Sequence, residues 1–142
     1  MLVLERTEKF REIFFTNTNT KTKNMKILNP EDLNVFKKAH ELTLKLYKIT
    51  KNFPAEEKWG LTSQIRRAAA SIGANLLEGS YRNNSKEYRQ FAGIANGSSG
   101  ELKYHLLLGH DLGYIDDAQY KELRNECDEI SKMLRGLIKS LE

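Results

Sequence analysis

Leu61–Phe91 reads LTSQIRRAAASIGANLLEGSYRNNSKEYRQF, and the pattern inside it decides the fold. From Gly60 to Gly79, the residues Leu61, Ile65, Ala68, Ala69, Ile72 and Leu76 recur at the spacing of one buried helical stripe. On the same cylinder Arg66, Ala70, Gly73 and Leu77 make a second, partly apolar stripe, and Gln64, Arg67, Ser71 and Glu78 make a polar one. Two buried flanks imply two neighbours. The small-residue flank therefore predicts close approach by another helix, either of this chain or of a second subunit, with Ala70, Gly73 and Leu77 as candidate interface positions.

Working outward, the chain supplies three more helices. Upstream, a helix opening after Pro30, with Glu31 and Asp32 in its first turn, carries Val35, Ala39, Leu42, Leu46, Ile49 and Phe53 on one face, and Pro54 is expected to stop it. Lys37, Lys38, Lys45 and Lys48 fall mostly elsewhere on that helix. Downstream, Ser85–Leu112 places Tyr88, Ala92, Ala95, Ser99, Leu102, Leu106 and Gly109 at helical spacing. Its middle, GIANGSSGE, has the composition of a loop, since each helix-interior glycine costs about 1 kcal/mol relative to alanine. Gly93, Gly97 and Gly100 nevertheless share one side, so a continuous helix with a shaved, closely packed face is expected, and these three join the candidate interface. Gly113 supplies the stop. Asp116 then caps a last helix bearing Tyr120, Leu123, Cys127, Ile130, Leu134, Leu137 and Leu141. Four amphipathic helices joined by short turns specify an all-α, antiparallel up-and-down four-helix bundle over residues 25–142. Residues 1–24, ending in the polar run TNTNTKTKN, read as an appended arm, flexible or forming a short helix. Met25 is an alternative start.

Composition narrows the class. A chain of 142 residues suits one domain with a real core. The formal charge of +4 tilts toward anionic partners, but 19 acidic residues nearly offset 23 basic ones. One cysteine, Cys127, excludes an internal disulfide and a multi-cysteine zinc cage, and its place on an apolar stripe marks a buried, inert thiol. No segment has the apolar length of a membrane span, and the amino terminus lacks a signal-peptide pattern, so the cytoplasm is the expected compartment.

The search for chemistry points away from catalysis. There is no glycine-rich phosphate loop and no paired-histidine zinc helix, and Gly97-Ser98-Ser99-Gly100 is one residue short of a nucleophile elbow. His40, His105 and His110 do not share a helix face, and Glu78, Glu87 and Glu101 read as caps, arginine partners or solvated groups. No enzyme activity, metal, cofactor or small-molecule substrate is expected. What remains is basic: Arg66, Arg67, Arg82, Lys86 and Arg89, with Asn83, Asn84 and Ser85 as neutral donors and Tyr81 as a ring able to stack on a base. The competing reading pairs these cations internally, with Glu78 or Glu101 taking Arg66 and Arg67.

The residues also carry a resemblance. SQIRRAAASIGANLLEGSYRNNSKEYRQF, followed by IANGSSGELKYHLLLGHDLGY, resembles the signature of the four-helix-bundle family encoded in intervening sequences of bacterial 23S rRNA genes. FKKAHELTLKLYKIT and FPAEEKWGL fit it as well, and the likeness covers about Leu33 to Ile138. The signature positions are Gln64, Ile65, Arg66, Arg67, Ala68 and Ala69, then Asn75, Glu78 and Gly79, then Arg82, Ser85 and Lys86, then Gly97, Ser98, Glu101 and Leu102. The resemblance implies a homopentameric ring and an rRNA-associated role. It extends to the accessory proteins of diversity-generating retroelements, which bind nucleic acid and a reverse transcriptase. It implies no catalytic residues. Gly73 stands where the family usually has proline, so a bend is permitted rather than imposed. The expectation is a non-enzymatic homo-oligomer that binds rRNA or another nucleic acid through its arginines. The alternative is an adaptor that grips a protein partner, such as a reverse transcriptase, without touching nucleic acid.

Overall fold

The computed structural model describes residues 29–142, so the arm and the alternative start at Met25 lie outside the described residues. Four α-helices follow one another: α1 (Asn34–Thr50), α2 (Leu61–Ser80), α3 (Ser85–Asp111) and α4 (Asp117–Ser140). Short 3-10 turns at Pro30–Asp32 and Ala55–Glu57 flank α1, and the described residues contain no β-strand. No described helix is long and apolar enough to cross a membrane.

The ends of α1 depart from expectation. Pro30, Glu31 and Asp32 form a separate turn, which Asn29 caps by accepting a hydrogen bond from the Glu31 N–H at 3.1 Å. Leu33 is extended and buried, and this plug into the core detaches the turn from the helix proper. At the far end α1 stops at Thr50, before Pro54. Phe53, barred from helical geometry by the proline after it, turns inward and packs its ring 5.3 Å from that of Tyr114. Pro54 instead opens the turn whose Glu57 carboxylate accepts the first N–H of α2, from Leu61, at 2.8 Å.

The other helices follow the sequence closely. All six residues of the expected α2 stripe are buried, and Thr62 and Gly79 join them. Gly79 lies where α2 and α3 cross, and a methyl group there would sit 2.8 Å from both Phe91 Cβ and Tyr88 Cδ2. Asn84 caps α3 by accepting from the Glu87 N–H, and Asp116 caps α4 by accepting from the Gln119 N–H. Gly113, at φ 81°, makes the turn between them in a conformation that side chains with a Cβ rarely adopt. α3 runs unbroken through its three glycines.

Serines set how α3 sits against its neighbours. Ser99 donates to the Asn96 carbonyl at 2.7 Å, so its one proton is spent and the buried Ser131 hydroxyl of α4 donates to it, also at 2.7 Å. On the other flank Asn75 donates to Ser71, Ser71 to Ser98 at 2.8 Å, and Ser98 to the Ile94 carbonyl. Small hydroxyls at both seams let the helices approach while satisfying one another. The α1–α4 seam is looser and ionic, bridged by Lys38–Glu129 at 2.9 Å and by Lys45 between Glu122 and Glu126. Those carboxylates, Glu122 first, raise the Lys45 pKa.

Two outcomes follow. Ser99→Ala strands a buried Ser131 hydroxyl and should cost about 1–3 kcal/mol, whereas Ser99→Ala with Ser131→Ala should cost less than the two single changes together, read from urea midpoints. His110 stacks on Tyr120 with ring centroids 4.5 Å apart and is hydrogen-bonded to Asp117 and, at 3.3 Å, to Asp111. The Asp117 bond chiefly raises its pKa above the ordinary 6.5. The folded state therefore holds this proton more tightly than the unfolded chain. The stabilisation is full below the unfolded pKa and fades as pH rises through the folded one. Wild type should thus exceed His110→Gln in thermal midpoint at acid pH and converge with it at alkaline pH. A gap that does not change with pH would exclude the linkage.

Candidate functional site

The five expected cations do not form one patch. Arg66 is turned inward onto the last turn of α1. Its Nε–H donates to Thr50 Oγ1 at 2.9 Å, its Nη2 to the Tyr47 carbonyl at 3.2 Å, and its guanidinium lies 4.5 Å from the Tyr47 ring centre. It satisfies a helix-end carbonyl and stacks on an aromatic face, an internal task. Arg82 pairs with Glu78 at 2.9 Å and lies 4.8 Å from the Phe91 ring centre. Glu101 is engaged by His105 at 3.3 Å, so neither acid takes Arg66 or Arg67. Arg67, Lys86 and Arg89 make no ion pair or side-chain hydrogen bond with the described residues. Arg67 lines a shallow groove with Gln64, Ser71 and Glu101. It stands roughly 20 Å along α2 from the turn that carries Arg82 and Lys86.

The candidate interface divides as well. A methyl group on Gly73 would lie 3.3 Å from Phe36 of α1, so the neighbour that the small-residue flank of α2 implied is at this point internal. Leu77 is half-buried and Ala70 exposed. Gly93, Gly97 and Gly100 are the reverse case: a methyl group on any of them would meet nothing within 4 Å. They lie on an open face of α3 beside Ile94, Tyr104 and Leu107, which are 47%, 61% and 38% exposed. The close packing expected to offset these glycines does not come from the described residues.

Sequence reasoning missed a set of cations on α4. Lys132, Arg135 and Lys139 are exposed and form no ion pair with the described residues. Their spacing of three and four was legible, but only the contacts between α3 and α4 say what stands beside them.

Cys127 is buried, and desolvation pushes its thiol up to about 12, far from a thiolate at neutral pH. Among the described residues no group of three or more His, Cys, Asp or Glu is placed to hold a metal ion.

With this geometry in view, comparisons with known proteins place the chain. The model of the 23S rRNA-intervening sequence protein family matches residues 31–136. A crystal structure of a protein with unknown function, from the S23 ribosomal protein family of Bacteroides thetaiotaomicron, is similar at 30% identity and a TM-score of 0.67. The match covers 74% of this chain and 98% of that one. Comparison with curated proteins finds no match. A family model spanning the whole of α1 to α3 and most of α4, joined to a solved fold of the same kind, settles kinship: the chain belongs to the 23S rRNA-intervening sequence protein family.

Proposed function

We propose that this protein is a non-enzymatic, antiparallel up-and-down bundle that works as a homo-oligomer, a ring of five copies, and contacts rRNA or another structured nucleic acid through its basic surface. The antiparallel reading is supported by bonded pairs that climb one helix while descending the next: Lys38 with Glu129 and Lys45 with Glu126, Ser99 with Ser131 and Lys103 with Asp128. The observation that carries the assembly is the open glycine face of α3. Three interior glycines weaken a helix by about 2–3 kcal/mol together. No described residue uses the space they clear. A second copy of α3 or a neighbouring helix, approaching backbone to backbone, recovers that cost and covers Ile94, Tyr104 and Leu107. Nucleic-acid contact is supported by the cations Arg67, Lys86 and Arg89, which have no partner among the described residues and which assembly repeats around the ring and so multiplies.

The sign of a single methyl group tests the assembly. On a solvent-exposed helix face, Gly97→Ala should raise the thermal midpoint, by the about 1 kcal/mol that alanine gains over glycine. At a tight interface it should instead lower the mass measured by light scattering after size exclusion. Monomeric wild type, or an alanine variant that is stabilised at unchanged mass, would overturn this use of the face. Recording absorbance at nucleic-acid and protein wavelengths on the same peak, for wild type and for Arg67→Ala/Lys86→Ala/Arg89→Ala, tests the ligand. Nucleic acid retained by the first and absent from the second is the expected result.

A further inference from the structure

We infer that the seam between α3 and α4 holds a second row of phosphate contacts, in which Lys132, Arg135 and Lys139 of α4 stand beside Lys86 and Arg89 of α3 and grip the backbone of a nucleic-acid duplex without reading its bases. The inference rests on the nucleic-acid reading above and gives it a location.

The register comes from two contacts, Ser99–Ser131 at 2.7 Å and Lys103–Asp128 at 2.8 Å. From Ser99, Arg89 lies ten residues back, roughly 15 Å along α3, and from Ser131, Lys139 lies eight residues on, roughly 12 Å along α4. The two side chains therefore stand at nearly the same level. At 3.6 residues per turn, Lys132, Arg135 and Lys139 on one helix and Lys86 and Arg89 on the other all fall on the outer side of this seam. Interaxial distances of about 8–10 Å set the two rows apart.

Charge along the seam is unevenly balanced. Toward the start of α4, Asp128 neutralises Lys103 at 2.8 Å and Arg124 at 3.6 Å, and this pairing holds the Asp128 pKa below its usual value, with Lys103 the main cause. Toward the end, Glu129 is drawn to the opposite flank by Lys38. Glu142, the acid next to the last turn of α4, pairs with none of the five cations. Lys139 in the last turn complements the helix dipole, which does not account for Lys132 or Arg135, more than a turn further in. Five cations in two rows, without a partner among the described residues, are a surplus that the four helices do not use.

The chemistry selects the partner. Between the rows stands Asn96, and the described residues there include no aromatic ring on which an unpaired base could stack and no apolar anchor of the kind protein interfaces rely on. Ammonium and guanidinium groups without a stacking platform fit the phosphates of a duplex.

The experiment titrates wild type with a short RNA duplex, and with one of its strands alone, over a range of salt concentration, following fluorescence anisotropy. Lys132→Ala/Arg135→Ala/Lys139→Ala alters exposed side chains only, and its helicity is checked by circular dichroism. Every phosphate that is no longer neutralised lowers the slope of log affinity against log salt by about 0.9, so this variant should flatten it by roughly 2.7. Binding should not change with duplex sequence. A triple variant with wild-type affinity and slope, where Arg67→Ala/Lys86→Ala/Arg89→Ala no longer binds, would overturn the seam and leave the proposed function standing. Preference for the single strand would also overturn it. Failure of wild type to bind either probe at low salt would remove the function and the seam together.

Discussion

The arrangement depends on how closely α3 is held by two hydroxyl contacts on adjacent residues. Ser98 reaches Ser71 of α2 and Ser99 reaches Ser131 of α4, so one helical turn ties three helices. A hydroxyl occupies little more space than a methyl group. It lets backbones approach, and because each of these oxygens finds a partner the polar cost of burial is met locally. An apolar stripe alone would tolerate slippage by a turn, whereas paired hydroxyls allow one alignment. The neighbours of α3 are therefore set at its centre and propagate outward to Lys103–Asp128 on one seam and to the crossing at Gly79 on the other.

The same helix has a side that no other described residue packs against. Ser98 and Ser99 face inward, while Gly97 and Gly100, which bracket them, face out. The motif GSSG thus alternates between stitching the bundle and clearing its surface. Read alone it hints at a strained catalytic turn; set in a continuous helix its serines pack α3 against α2 and α4 while its glycines leave the outward face open. An exposed glycine face bordered by Ile94, Tyr104 and Leu107 is an unfavourable helix surface unless something covers it.

Net charge turns out to be a poor guide to the basic surface. Six Lys or Arg and three Asp or Glu fall in residues 1–28, so most of the excess of +4 belongs outside residues 29–142. Within residues 29–142 cations and acids nearly balance, and what matters is which of them are paired. Arg66, Arg82, Lys38, Lys45 and Lys103 have internal partners. Arg67, Lys86, Arg89, Lys132, Arg135 and Lys139 have none among the described residues. Pairing, not sign, separates structural cations from available ones.

By itself the sequence determined the helices, their buried stripes, the cap at Asp116 and the turn at Gly113, because these depend on spacing and on local hydrogen bonding and conformational limits within a few residues; Asn84, read as a donor to nucleic acid, instead spends its side-chain oxygen on capping α3. It misjudged both ends of α1: Leu33 detaches the first turn by plugging the core, and Phe53 leaves the helix early to pack on Tyr114. Only the tertiary structure decided that Arg66 serves α1, that Gly73 makes room for Phe36, and that Ser131 of α4 meets Ser99 of α3. Those outcomes depend on which helix lies against which and at what register, and periodicity within one helix carries no information about the face of another.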